Sequence, residues 1–375
     1  MASHGPSRLT YTLRAGRAAL LGLGLAVALA GCGPAAPAPS GSAPARQPAA
    51  PSGATASAPA ASAPPTAGPP IHLVANYAAR GTGHSGMWLA YEGGYFREQG
   101  LDVELTNITS TSPSLQAMIA GQVQIAGLDP SSSIQATVNG ADVALLFAGS
   151  NRPLHSMIVN PRITDPQVLR GKIMGITRLA GATYTAAVLA LDQVGLQPDR
   201  DVALRQFGEN SAILAALTSD QIDAGMLSLP HTVMAQRAGY QEMVNLGAAG
   251  IEYPTVVVGA LRPWVAANEE AVRRFARAFV QGIHRFRTDK PWALDVYRQY
   301  LQIDDPDILE QAYAEYLRCC PPVPYVSEEG VARLLADLAA DDPRFAGRQP
   351  TDFIESRYLR EVEASGFLQT IGMTP

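Results

Sequence analysis

Lysine is almost missing from this 375-residue chain: Lys172 and Lys290 are the only two. Charged residues make up 16% of it, and the net charge is −5. No basic face for a phosphate backbone can be built from that balance, so nucleic-acid binding is excluded as a reading. Cysteine is also scarce, with three residues, two of them adjacent at Cys319 and Cys320. Adjacent thiols rarely meet disulfide geometry, so these two read as free cysteines without a role. The six histidines (His4, His72, His84, His155, His231, His284) are scattered, with no i, i+4 pair. Metal-site spacing is therefore missing, and no cofactor is expected. No apolar run reaches the roughly 18–20 residues that span a bilayer.

Acidic residues are absent from the first seventy positions, which hold four arginines (Arg8, Arg14, Arg17, Arg46), leaving −9 on 71–375. Arg8, Arg14 and Arg17 precede a 13-residue apolar stretch, 18–30, that ends in Leu29-Ala30-Gly31-Cys32. That order is the pattern of an export signal. Its end resembles the bacterial lipobox, which implies a signal peptide over 1–31 and a lipid on Cys32. Between 33 and 70, 34 of 38 residues are Ala, Pro, Ser or Gly. Such a segment cannot bury enough apolar surface to fold. Its prolines favour an extended tether reaching on the order of 100 Å.

From Ile71 onward, apolar strand patterns alternate with helical ones, which predicts an α/β fold with parallel sheets. Strands are expected at Ile71–Tyr77, Leu101–Leu105, Val123–Leu128 and Val143–Phe147. Helices are expected at Met87–Gln99 (interrupted at Gly93-Gly94), Ser114–Ala120 and Ser132–Asn139. The order then recurs: strands at Lys172–Thr177, Val202–Phe207, Ile222–Met226 and Glu242–Asn245, with helices at Thr183–Val194, Ser211–Thr218 and His231–Arg237. At an offset of 99, Gln122 meets Gln221, Leu128 meets Leu227 and Gly140 meets Gly239. Two similar α/β lobes are therefore expected. Thr255–Ala260 is a candidate strand returning to the first lobe. Helices follow at Asn268–Thr288, Trp292–Tyr300, Asp307–Tyr316, Glu328–Ala339 and Thr351–Ala364.

Gly81-Thr82-Gly83-His84-Ser85-Gly86 fits G-x-G-x-x-G between a strand and a helix, with Glu104 about 20 residues on, as in a dinucleotide site. Glu104 lies inside its strand instead of at the C-terminal end where a ribose would be, and no catalytic pair accompanies it. The dehydrogenase reading is set aside.

Ala90-Tyr91-Glu92-Gly93-Gly94-Tyr95-Phe96, followed by Gly100-Leu101-Asp102-Val103-Glu104, resembles a segment of ABC-transporter substrate-binding proteins. The subgroup is the nitrate/sulfonate/taurine and thiamine-precursor family. Leu169-Arg170-Gly171-Lys172 and Leu217 to Pro230 resemble its entry to, and later part of, lobe two. Gln124 departs from the family's usual Asp, and Gly181-Ala182-Thr183-Tyr184 from its usual turn. The resemblance implies a two-lobed, type II-like periplasmic-binding-protein fold with mostly parallel sheets, helices on both faces and a helical C-terminal extension. It implies lobe I at 71–152 and 254–375, lobe II at 153–253, and hinges near Gly149–Pro153 and Gly250–Thr255. It implies a monomeric receptor, not an enzyme, held outside the cytoplasm by its lipid anchor. Its partners would be a small organic ligand (sulfonate, pyrimidine or aromatic acid), an ABC permease and its ATPase. A ligand-sensing lipoprotein and an enzyme on the same bilobal fold are the alternatives. The second is disfavoured because Lys172 is the strand-entry lysine and the cysteines come late.

Open α/β sheets bind ligands beyond their strand C-termini. The candidates in lobe one are Tyr77, Arg80, Thr82, Gly83, His84, Ser110, Thr111, Ser112, Asp129, Ser131 and Ser132. In lobe two they are Arg178, Gly181, Ala182, Thr183, Tyr184, Glu209, Asn210, Pro230 and His231. The hydroxyls and backbone N–H groups at helix starts suit an oxyanion. Arg80 and Arg178 suit a sulfonate or carboxylate, whereas Glu209 opposes an anion, so the ligand's charge stays open here. Trp88 reads as helix core.

Overall fold

The computed structural model describes residues 69–179 and 182–373. The signal, Cys32 and nearly all of the tether lie outside the described residues, as does Gly181.

Among the described residues, ten strands form two sheets of five. They are β1 (Ile71–Tyr77), β2 (Leu101–Asn107), β3 (Ile125–Leu128), β4 (Val143–Ser150), β5 (Ser156–Val159), β6 (Lys172–Ile176), β7 (Val202–Gln206), β8 (Ala224–Leu227), β9 (Gln241–Asn245) and β10 (Val256–Leu261). The first sheet runs β2-β1-β3-β10-β4 and the second β7-β6-β8-β5-β9. In each, one strand runs against the others: β10 is antiparallel to β3 and β4, and β5 to β8 and β9. These two are the strands that follow each crossing between the sheets. The alternating pattern produces the mostly parallel α/β architecture, and the C-terminal region is helical as expected.

The 99-residue spacing extends beyond sequence identity. Helix Thr111–Ile119 and helix Asn210–Thr218 stand 99 apart at both ends, as do β3 and β8. Left-handed backbone recurs at the same spacing, at Gly100 and Asp199, Gly121 and Asp220, and Gly140 and Gly239. A positive φ costs a non-glycine residue energy, so its recurrence at Asp199 and Asp220 marks the same turns in both halves.

Three expectations are corrected. Strand β5 (SMIV) is not anticipated, because four buried residues are too short to show a period. Helix Arg262–Ala267 is likewise missed. The continuous helix expected at Thr351–Ala364 is broken. Residues 353–355 instead pair with the edge of β4, where Leu145 N–H donates to Phe353 and Glu355 N–H to Leu145, both at 2.9 Å. An open edge offers the backbone a partner that local propensity does not foresee.

Two of the three glycines of G-x-G-x-x-G, Gly83 and Gly86, prove to be packing residues, whereas a Cβ on Gly81 would meet nothing within 4 Å. A Cβ on Gly83 would lie 2.6 Å from Val256 Cγ2, and one on Gly86 2.2 Å from Phe279 Cζ. Thr82 through Gly86 are buried, and Glu104 is exposed mid-strand. Trp88 is fully buried, stacked on Tyr300 at 4.9 Å. Cys319 and Cys320 are free and buried. Gln124 is explained as well: its Oε1 accepts from Val74 N–H at 2.8 Å and its Nε2 donates to Gly121 at 2.9 Å. In the second sheet Asp223, 99 residues on, accepts from Ile173 N–H at 3.3 Å. The longer amide accepts from the corresponding backbone N–H and donates to Gly121, where Asp223 instead pairs with Lys172 Nζ at 3.5 Å.

Candidate functional site

The C-terminal ends of β2, β3 and β6 lead into helices whose first turns line one cavity of about 150 Å³. From the first sheet come Ser110, Thr111 and Ser112, which open helix Thr111–Ile119, and Asp129, Ser131 and Ser132, which open helix Pro130–Val138. From the second come Arg178 and Ala182, the latter opening helix Ala182–Gln193. The two crossing segments close the cavity with Pro153, Tyr253, Pro254 and Thr255.

Three helix N-termini aimed at one space make it electropositive, because the first N–H groups of each helix lack intrahelical acceptors. Arg178 adds a full charge. The hydroxyls of Ser110 and Ser112 make no hydrogen bond among the described residues. Thr111 is partly engaged: its Oγ1 accepts from Asp129 N–H at 3.0 Å. Ser110 is also held at φ 82, ψ 147, a conformation nearly reserved for glycine. Its N–H donates to Ala78 O at 2.9 Å, fixing the loop after β1 against the loop after β2.

Asp129 is the one acid among the cavity's lining residues. Burial raises its pKa, while the Ser132 N–H, 2.7 Å from Oδ1, and the charge of Arg178 pull it down. Its carboxylate is thus committed as the cap of helix Pro130–Val138. The net field of the cavity favours an anionic or oxygen-rich group.

Of the other candidates, Arg80, Thr82 and Pro230 line a different cavity. Tyr77 packs edge-on to Trp88 at 5.5 Å and near Tyr300. Gly83 is pressed against Val256 and Leu154, and His84 lies under Gly127. Thr183 turns inward, its Oγ1 accepting from Thr177 N–H at 2.9 Å. Tyr184 packs half-buried against the core around Leu191 and Met174. Glu209 is the exposed N-cap residue of helix Asn210–Thr218. Asn210 Nδ2 donates to Ser228 Oγ at 2.8 Å. His231 opens helix His231–Arg237, and burial lowers its pKa against the pull of Glu209. None of these eight, from Tyr77 to His231, lines the Arg178 cavity.

Sequence reasoning missed Tyr253, Pro254, Thr185, Leu189 and Leu334 as cavity walls. Thr185 and Leu189 sit one turn apart on helix Ala182–Gln193, so extending the candidates along the helix face would have found them. It also missed Glu315, which lines the second cavity. That carboxylate sits on the stripe of buried residues Ile308, Ala312, Tyr316 and Cys319 of helix Pro306–Cys319, a misplaced charge visible in the sequence. Among the described residues no group of His, Cys, Asp and Glu is arranged to hold a metal ion.

A family model described as NMT1/THI5 like matches residues 81–291. The putative binding protein YtlA of Bacillus subtilis (strain 168) is 21% identical over 236 residues, covering 61% of this chain and 71% of its own. The periplasmic aliphatic sulphonate binding protein SsuA from Escherichia coli is 18% identical with a TM-score of 0.62, covering 75% of this chain and 96% of that one. The periplasmic nitrate-binding protein NrtA from Synechocystis PCC 6803 is 12% identical with a TM-score of 0.62, covering 80% and 90%. At these identities the solved structures share a fold with this chain.

Proposed function

The chain belongs to the NMT1/THI5-like family, and from that premise we propose that it is the substrate-binding receptor of an ABC importer. In this reading the two sheets are the cores of two lobes, lobe I from 71–152 and 254–375 and lobe II from 153–253. The receptor is tethered outside the cytoplasm by a lipid on Cys32. It traps a small organic anion between the lobes and passes it to a permease and its ATPase. The similarity to SsuA, NrtA and YtlA supports the receptor role.

The observation that carries the ligand class is the convergence of three helix N-termini and Arg178 on one cavity drawn from both sheets. A ligand oxyanion there would collect donors from each lobe, and that shared contact would favour the closed state. The candidate residues for this site are Ser110, Thr111, Ser112, Ser131, Ser132 and Arg178, with Asp129 holding the local backbone.

Calorimetric titration of the full chain with nitrate, alkanesulfonates and aromatic carboxylates tests the reading. One of these anions is expected to bind and to raise the melting temperature by linkage. Arg178→Ala is expected to weaken it by about 1.5 kcal/mol or more, the loss of a charged hydrogen bond. No shift with any of these anions, or unchanged affinity in the variant, would overturn the anion assignment. Cys32→Ala is expected to abolish acylation and release the protein from membranes. Membrane retention in that variant would overturn the anchor.

A further inference from the structure

A second cavity, of about 240 Å³, meets the first crossing segment at Leu154 and His155, next to the Pro153 that lines the Arg178 cavity. Most of its wall is apolar, with Leu154, Leu229, Leu301, Ile303, Ile308 and Ala312. Into this apolar setting the fold places one carboxyl group, Glu315. Thr82 Oγ1 donates to Glu315 Oε2 at 2.5 Å, and this is the only hydrogen bond to the carboxylate among the described residues. No Lys or Arg forms a salt bridge with it there.

A carboxylate in an apolar recess is costly unless a cation or further donors meet it. The cost shows in its titration: burial pushes the Glu315 carboxyl up to about 7, with the Thr82 bond and the charge of Arg318 only partly opposing. His155, on the same wall, supplies no cation, because burial lowers its pKa to about 4. Arg80 lies at the exposed rim, where water screens it. Glu315 Oε1 therefore has no hydrogen-bond donor among the described residues, and Glu315 stands between this mostly apolar wall and a polar cavity that it lines with Arg318 and Glu242.

We propose that this cavity is a second ligand site, separate from the Arg178 cavity, which takes a primary amine carried on a small apolar body. The ammonium group donates to Glu315, and the apolar body lies against Leu154, Leu301, Ile303 and Ile308. Because Arg80–Thr82 follow β1 and Ser228–Pro230 follow β8, the occupant touches residues following strands of both sheets. The proposal does not depend on the anion assignment above.

Benzylamine and its neutral counterpart benzyl alcohol are the probes, titrated calorimetrically into the full chain near pH 7.5. Benzylamine is expected to bind one to one, and benzyl alcohol about tenfold more weakly or worse. Glu315→Gln keeps the acceptor for Thr82 but removes the charge, and is expected to weaken benzylamine at least about tenfold. Arg178→Ala is expected to leave benzylamine affinity unchanged. No benzylamine binding in the millimolar range, equal affinity for the two probes, or unchanged affinity in Glu315→Gln would overturn the site. Loss of benzylamine in Arg178→Ala would place the amine in the other cavity and overturn it equally. Anion binding measured on the same samples separates this outcome from failure of the receptor reading.

Discussion

Arg237 grips Asp305 with both ends of its guanidinium: Nη1 bonds Oδ2, and Nη2 bonds Oδ1 at 2.9 Å while also reaching Asp307 Oδ2 at 2.8 Å. Arg237 ends helix His231–Arg237, beside the second sheet. Asp305 is the N-cap of helix Pro306–Cys319, whose Leu309, Ala312 and Tyr316 pack into the core around β1. The fork therefore joins the two halves at their edge, away from the Arg178 cavity.

If the halves separate when ligand leaves, this fork must break. Arg237→Ala is then expected to raise the population of an expanded form, read as a larger radius of gyration in solution scattering, and to weaken ligand binding a few-fold. The pair is exposed, so added salt should produce part of the same effect in the unaltered protein. The Arg237 bonds hold the Asp305 carboxyl down at about 2. Its contribution is thus fully present above the ordinary aspartate pKa and is lost only as pH falls toward 2. Between pH 5 and 8 the expansion should respond to salt and not to pH. An identical scattering profile in Arg237→Ala at all salt concentrations would remove the fork from the opening motion.

Ser110 carries its strain at the mouth of the Arg178 cavity. Its φ is 82, whereas Glu209, the N-cap 99 residues on, is extended at φ −135. The first half keeps a hydroxyl in this conformation at a cost of about 1–3 kcal/mol. Ser110→Gly is expected to stabilise the protein toward urea by about 1 kcal/mol, after the entropy that glycine adds to the unfolded chain. The same change is expected to weaken ligand binding. A variant more stable and equally tight would show that the hydroxyl does not touch ligand.

Gly149 is the second-last residue of β4, just before the first crossing, where a Cβ would lie 2.2 Å from the carbonyl oxygen of Gly83. Gly86 would place its Cβ at a similar distance from the tip of the Phe279 ring. A ring can tilt, but a carbonyl fixed in a buried backbone cannot. Gly149→Ala is therefore expected to destabilise by about 3 kcal/mol or more. Gly86→Ala should cost about 1–3 kcal/mol, less the roughly 1 kcal/mol that alanine gains in a helix. Urea midpoints of the two variants check the order, and the reverse order would mean that the crossing yields more easily than the core.

The repeat was readable in sequence because both halves reuse the same turn positions, and turns leave fixed residues such as Gly140 and Gly239. The Arg178 cavity was readable in outline, since parallel strands must end in helix starts on one side of the sheet. Its limits lie where contacts are non-local. Tyr77 and His84 stand in the right loops, yet their rings are taken by Trp88 and by the space under Gly127. Tyr253 and Pro254 enter the cavity only because two crossing segments pair, with Tyr253 N–H donating to Asn151 O at 2.8 Å. Glu315 comes from a helix 233 residues from its partner Thr82, and no local pattern assigns that helix to this cavity.

Three groups with large burial shifts act on stability between pH 4 and pH 7, with opposite signs. Burial lowers His84 and His155 to about 4, from 6.5. Unfolded, each binds its proton near pH 6.5, so stability rises as pH increases from 4 to 6.5. Burial raises Glu315 from 4.5 to about 7, which favours the proton in the folded state and lowers stability as pH increases from 4.5 to 7. Each shift corresponds to roughly 3 kcal/mol, so two histidines outweigh one glutamate. The melting temperature is expected to climb from pH 4 to pH 6.5. In Glu315→Gln, which loses this opposing shift, the climb should be steeper than in the unaltered protein. A melting curve against pH for both proteins checks this, and parallel curves would mean that Glu315 titrates as an ordinary exposed carboxylate and that its recess is open to water.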